Sequence, residues 1–238
     1  MTPTEQQSNS RPAIVSFVHR GRRMTVGQAR AWERNWSRLG RSVTELPAGP
    51  LEVEAWFDRA APVVVEIGSG MGETTAELAA AAPDVNYLAV EVYQPGLAQL
   101  MMRAEERGIT NLRLVRGDAV TLLAEHIEPE SLAEVRIFYP DPWPKAKHHK
   151  RRLVRPEFVA MVADRLASGG VLQMATDWEH YAEQMMSVCQ ADPRLRNRHA
   201  DAPDGWAPRP EWRRVTKFEK RARQAGRISR DLAFERLP

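Results

Sequence analysis

Five carboxylates recur through the middle of the chain at the ends of short apolar runs: Glu66, Glu91, Asp118, Asp141 and Asp177. Three glycines, Gly68, Gly70 and Gly72, follow the first of them. In an open parallel sheet the ligand lies beyond the carboxyl ends of the strands, so acids at successive strand ends converge on one site. Carboxylates there can accept hydrogen bonds from ribose hydroxyls, an exocyclic amine or an ammonium, and they oppose phosphate. The glycine run is close to a dinucleotide fingerprint, and Glu91 stands about twenty residues beyond it, as the ribose half of that fingerprint requires. The phosphate half fails. The pattern needs glycine at position 73, and the chain has Glu73, which puts negative charge where a helix start would hold a pyrophosphate. What fits is a nucleoside cofactor without phosphate and with a positive centre, and S-adenosyl-L-methionine has that chemistry.

A second constellation is YPDPWPKAKHHKRR, residues 139–152. Proline fixes φ and removes a backbone donor, so Pro140, Pro142 and Pro144 make a rigid loop of the kind kept for a site. One acid, Asp141, sits inside it. Lys145, Lys147, Lys150, Arg151 and Arg152 follow, and they suit contacts to a phosphate backbone. A zinc site at His148 and His149 is not expected, because neighbours in sequence diverge and no further ligands are evident; no metal is expected at all. Cys189 is the one cysteine. It excludes an intrachain disulfide and argues against cytosine C5 chemistry, which needs a thiolate, and its helical surroundings read as those of a buried structural thiol.

These residues need a scaffold, and the sequence supplies one. APVVVEIGSGMGETTAELAAAAP reads as strand, loop and helix, and VNYLAVEV, LRLVRGDA, EVRIFYP and VLQMATD add four strands with helical stretches between them. Gly169 and Gly170 read as a turn before the last of these. Alternation of strands and helices implies right-handed crossovers and an α/β, doubly wound, mostly parallel sheet. Residues 51–238 are expected to form this domain, and residues 1–50 a basic N-terminal appendage. The first dozen residues look disordered, and a helix runs through Ala29, Trp32 and Trp36 to Gly40. No apolar run reaches the length of a membrane span and the polar start lacks a signal segment, so the reading is cytoplasmic, with no membrane partner. From Leu51 to Asp141 there are 16 acids and 6 bases, whereas residues 1–50 hold 8 bases and 3 acids and residues 205–238 hold 10 and 4. Such a distribution suits a core that binds something cationic or neutral, bordered by surfaces that attract a nucleic acid.

Taken together, EIGSGMG, VEVY, RGDA, FYPDPWPKAKHHKRRL, ATDWEHYAEQM and TKFEKRARQAGRISRDLAFE resemble a class I S-adenosylmethionine-dependent methyltransferase with a Rossmann-like fold. More narrowly, they resemble the bacterial tRNA (guanine-N7-)-methyltransferase family. The likeness runs from about Ser16 to Glu235; Tyr139 stands where phenylalanine is common, and the first dozen residues match nothing. The resemblance implies transfer of a methyl group to N7 of guanosine 46 in the variable loop of tRNA, by a monomer or homodimer. It implies cofactor contacts at Glu66, Gly68, Gly70, Gly72, Glu91, Asp118 and Asp141, with Asp141 also catalytic. Substrate contacts fall at Lys145, Asp177, Thr216, Lys217, Phe218 and Glu219. On this reading Glu91 accepts from both ribose hydroxyls, Asp118 from the adenine amino group, and Glu66 orders the loop or reaches the cofactor ammonium. Lys147, Lys150, Arg151 and Arg152 hold the RNA backbone. Other readings are a class I methyltransferase acting on another base or a protein, an inactive RNA-binding homologue, and a nicotinamide-dependent dehydrogenase.

Overall fold

Alternating side chains place a separate core on each face of one sheet. The computed structural model describes residues 16–17 and 23–238. The chain runs through α1 (Val26–Leu39), β1 (Gly40–Ser42), α2 (Val53–Phe57), β2 (Val63–Ile67), α3 (Glu73–Ala81), β3 (Asn86–Glu91), α4 (Gln94–Glu106) and β4 (Leu112–Arg116). It continues through α5 (Ala119–His126), β5 (Leu132–Phe138), α6 (Pro156–Arg165), β6 (Leu166–Thr176), α7 (Glu179–Ala191), β7 (Leu195–Asn197), α8 (Lys217–Gln224) and β8 (Arg230–Arg236). Val63, Val65 and Ile67 join one core with Leu88, Val90, Phe158 and Tyr181, while Val64 joins the other with Tyr87, Ala89, Ala76 and Leu97. Each fully buried aliphatic side chain contributes about 1.5–3 kcal/mol, so the two layers fix the strand faces firmly.

The strand order is β1-β4-β3-β2-β5-β6-β8-β7. Pairing is parallel from β1 to β6, and β8 is antiparallel to both β6 and β7. The chain passes from β2 to β3 on one side and from β4 across to β5 on the other. The carboxyl ends of β2, β3 and β5 therefore bound the crevice in which such sheets bind ligands. The five expected strands are β2 to β6, and β8, whose DLAFE was read only as a motif, is an addition. Gly169 and Gly170 do not form a turn. They lie inside β6, where the register against β5 slips between Leu132 and Glu134, and a Cβ on Gly170 would stand 2.9 Å from the Leu132 carbonyl oxygen.

The N-terminal segment is no appendage from residue 26 onward. Thr25 and Gln28 form a reciprocal capping box at the start of α1, with Gln28 N donating to Thr25 Oγ1 at 3.2 Å and Thr25 N to Gln28 Oε1 at 2.9 Å. Ala31 and Leu39 are buried in the second core, and β1 extends the sheet along β4. A Cβ on Gly40 would fall 2.0 Å from the Trp36 ring, which is why the helix ends on glycine. The first dozen residues lie outside the described residues. Among those described, no helix is long and apolar enough to cross a membrane.

Candidate active site

The loop after β2 needs glycine for its backbone. Gly68, Gly70 and Gly72 have φ of 79°, 57° and 69°. A Cβ on Gly72 would meet Leu100 at 2.5 Å, whereas one on Gly68 or Gly70 would meet nothing within 4 Å. The loop is thus pinned at one end and faces open space at the other two glycines. Gly96 at the start of α4 completes the seat, because a Cβ there would stand 2.2 Å from the Gly70 carbonyl oxygen.

Glu91 at the end of β3 holds this loop. Its Oε2 accepts from Gly70 N at 2.9 Å, and its Oε1 accepts from Val92 N at 2.7 Å and Tyr93 N at 2.9 Å. A carboxylate offers about four acceptor positions, so among the described residues one is left unused. Asp118 caps α5, with Oδ1 accepting from Val120 N at 3.1 Å and the second oxygen without a partner among the described residues. Glu66 lies deeper. It is 6% exposed, and its Oε2 accepts from the Thr75 hydroxyl at 2.9 Å, which ties α3 to β2 beneath the loop. Burial pushes its carboxyl above the ordinary range, against the Thr75 hydrogen bond and the charge of Arg136.

The loop after β5 carries two non-glycine residues in left-handed backbone, Tyr139 at φ 55° and Trp143 at φ 44°. Each such residue costs about 1–3 kcal/mol and persists only under outside support. Tyr139 N donates to the Ala175 carbonyl at 2.7 Å, and its hydroxyl shares a hydrogen bond with Ser229 Oγ at 3.0 Å. Burial pushes that hydroxyl up to about 12. Trp143 Nε1 donates to the Ser16 carbonyl at 3.3 Å, and the Arg151 guanidinium lies 4.9 Å from its ring centroid. Between them sits half-buried Asp141, which makes no hydrogen bond or ion pair among the described residues.

Arg152 corrects an expectation. It is 1% exposed and does not belong to the basic surface. Its Nε donates to the Pro142 carbonyl at 2.8 Å and its Nη1 to Gln184 Oε1 at 2.6 Å, with His180 Nδ1 3.2 Å away. Its guanidinium lies 4.7 Å from the Tyr181 ring centroid. The residue straps the proline loop, one position beyond Asp141, to α7. Lys145, Lys147 and Lys150 are exposed on the 3-10 turn Ala146–Arg151 and its cap, as a phosphate-facing surface requires. No sequence motif separates Arg152 from Arg151. Only the burial of Tyr181 and the position of Gln184 do so.

The carboxyl-terminal segment closes over this loop. Asp177 at the end of β6 is engaged, its Oδ2 accepting from Arg227 Nε at 2.7 Å. Thr216 caps α8 by accepting from Glu219 N at 3.2 Å. Glu219 is fully buried, accepting from Arg209 Nε at 2.7 Å and Arg223 Nη2 at 2.6 Å. It is the hub of this segment and has no free face for a substrate. Burial alone would raise its carboxyl, but Arg209, Arg213 and Arg223 outweigh that and hold it below the ordinary range. Buried Arg213 joins the hub to the loop, since it pairs with Asp231 at 2.8 Å and lies 5.5 Å from the Tyr139 ring centroid. Lys217 and Phe218 fall in α8, and their side chains lie outside the described residues. Arg209 and Arg213 carry no sequence signal and Asp231 enters only as part of the DLAFE motif; the three stand apart in the chain and meet only in the fold.

The family model "Putative methyltransferase" matches residues 60–232. A protein from Chromohalobacter salexigens named tRNA (guanine-N(7)-)-methyltransferase is 46% identical over 237 residues, covering 99% of this chain and 95% of its own. The chain belongs to the tRNA (guanine-N7-)-methyltransferase family. Relatives of the same name from Bordetella pertussis and Streptomyces coelicolor are 48% and 47% identical, each covering 94% of this chain and 85% and 81% of their own. Among solved structures, the 16S rRNA methyltransferase KamB gives a TM-score of 0.52 at 14% identity, over 79% of this chain and 93% of its own. An rRNA methylase from Streptococcus thermophilus gives 0.51 at 19% identity, over 75% and 88%. Both carry the Rossmann-like methyltransferase fold described above. The chain is therefore a methyltransferase, and the Gly68–Gly72 loop, Glu91, Asp118 and Asp141 all follow the carboxyl ends of its parallel strands.

Proposed function

We propose that the protein transfers the methyl group of S-adenosyl-L-methionine to N7 of a guanine in tRNA, at guanosine 46 of the variable loop, and forms 7-methylguanosine. One observation carries the reading: Asp141, alone among the strand-end acids in having no partner among the described residues, sits on a strained and strapped loop beside an exposed basic turn. The names of the relatives agree with it.

The crevice fits the cofactor. Gly68 and Gly70 leave open space beside their backbone, Glu91 keeps one acceptor position and Asp118 one oxygen among the described residues, and carboxylates at these strand ends oppose a phosphate. When bound there, the cofactor supplies an electrophilic methyl carbon on a sulfonium. Glu91 accepts from the ribose, Asp118 from the adenine amino group, and Glu66 acts from below by fixing the loop. Neutral guanine already carries a lone pair on N7, so no strong base is needed. The protein must hold N7 at attacking distance and oppose the positive charge that grows on the purine. Asp141 meets the second need as a fixed anion and can accept from the donor edge of the base. Lys145, Lys147, Lys150 and Arg151 hold phosphates, while Asp177, Thr216, Lys217 and Phe218 border the base, with Asp177 exchanging Arg227 for the substrate. Incubation of unmodified tRNA with methyl-labelled cofactor, followed by nucleoside digestion, tests the proposal. Label in 7-methylguanosine is expected, and label in another nucleoside alone refutes it.

A further inference from the structure

The β1 edge of the sheet carries a second basic cluster that the site does not use. Arg38 lies in the last turn of α1, Arg41 in β1, Arg59 follows α2 and Arg113 is the second residue of β4. Their donors end on neutral oxygens. Arg38 Nη2 donates to Asn35 Oδ1, Arg41 Nη1 to the Ser37 and Gly40 carbonyls, Arg59 Nε to Asn86 Oδ1, and Arg113 Nε to the Trp56 carbonyl. Among the described residues none of the four has a carboxylate within 4.0 Å. Glu105, which feels the charge of Arg38, is already paired with Arg34 at 2.7 Å.

Two of the guanidiniums are stacked on aromatic faces, Arg41 at 5.1 Å from the Trp56 centroid and Arg113 at 4.7 Å from Phe57. The other three charges act on Arg113: burial first, and then Arg38, Arg41 and Arg59, hold its guanidinium below its ordinary range. Like charges kept together without a counter-charge destabilise the free protein, and an anion bound among them removes that penalty. The aromatic faces and carbonyls hold the forks in place in advance, which suits phosphate.

The cluster is remote from Asp141. Four strand spacings of about 4.8 Å separate β1 from β5, and Arg113 lies three residues, about 10 Å, below the ligand end of its strand. A duplex with one phosphate charge per ~1.7 Å of axis readily spans that distance. We propose that Arg38, Arg41, Arg59 and Arg113 form a second phosphate-binding surface that grips the sugar-phosphate backbone of the same tRNA away from the methylated guanine. The proposal rests on the tRNA reading above.

The test uses the full chain with Arg38→Gln/Arg41→Gln, two exposed residues outside the active site, and Arg38→Gln alone. Binding is titrated with salt for intact tRNA and for a short stem-loop bearing the same target guanosine. For intact tRNA the slope of log affinity against log salt should fall by about two units in the double variant and about one in the single. The stem-loop slope and turnover at saturating tRNA should stay as in the wild type. Neither variant should melt below the wild type at low salt, since repulsion is relieved; Arg38→Gln, which loses one bond to Asn35, carries the test if the double variant folds poorly. An unchanged slope on intact tRNA overturns the proposal, as does an equal loss on the stem-loop. So does a variant that merely shifts a dimer to monomer in sedimentation, which would assign the cluster to a contact between copies. Nucleoside analysis of the wild type reads the base specificity separately, so its failure leaves the salt slopes decisive.

Discussion

Replacing Arg152 with methionine keeps the aliphatic length and removes the guanidinium, and the consequence can be worked from its contacts. Two bonds are lost that other groups cannot replace, to the Pro142 carbonyl at 2.8 Å and to Gln184 at 2.6 Å. Hydrogen bonds to charged groups contribute about 1.5–3 kcal/mol each, giving roughly 3–6 kcal/mol. The third partner, His180, is exposed and recovers water. Burial also disfavours the charge of Arg152 itself, and its removal returns part of the loss, so a net weakening of about 2–4 kcal/mol is expected. With Tyr139 and Trp143 held in left-handed backbone, that energy is enough to let the loop relax and Asp141 move. At about 1.4 kcal/mol per decade, methyl transfer should fall roughly 30- to 700-fold. Single-turnover methylation at saturating tRNA and cofactor reads the rate, and a salt titration of tRNA binding reads the alternative. The titration slope should match the wild type. A normal rate, or a slope smaller by about one unit as for a lost phosphate contact, refutes the reasoning.

Three other outcomes follow from the same geometry. Asp141→Asn keeps the shape and removes the charge, so single-turnover methylation should fall by at least about a hundredfold while tRNA binding holds, and equal losses in both would contradict the role given to Asp141. Glu91→Ala frees the amides of Gly70, Val92 and Tyr93 as well as the ribose, so calorimetry should find cofactor affinity reduced by at least about tenfold, with unchanged affinity as the contrary result. Glu66 has a raised folded-state pKa, so its contribution to stability is complete below the unfolded value and is lost as pH rises through the folded one. Glu66→Gln mimics the protonated form; its melting temperature should equal or exceed the wild type at pH 8 and match it near pH 4, and a lower value at pH 8 would count against that sign.

The sequence was most legible where local pattern and packing agree. Apolar runs such as VVVEI and NYLAVE are strands in the structure because period-two burial against two cores leaves them no other register, and the acids at their ends follow from that. Gly68, Gly70 and Gly72 were legible because their backbone admits little else. The C-terminal strand β8 was not, since its DLAFE reaches the sheet only by inserting between β6 and β7, a pairing set by tertiary contact. Arg151 and Arg152 are chemically alike and adjacent, and one is stacked near the surface while the other is buried; that difference lies in Tyr181 and Gln184, about thirty residues away. Glu219 is implied as a substrate ligand by the resemblance and is a buried hub in the structure, because Arg209 lies outside every family motif and Arg223 stands within one without any mark of its pairing.

In the proposed reaction N7 of a tRNA guanine is the nucleophile, and replacing that one atom is the decisive test. A tRNA assembled with 7-deazaguanosine at the target position keeps the base edge and the backbone but carries C–H where the lone pair was. This tRNA should bind with the affinity and salt dependence of the unmodified one, and single-turnover incubation with labelled cofactor should transfer no methyl group to that nucleoside. Label on the deaza nucleoside, at any rate near that of the natural substrate, would contradict that role for N7.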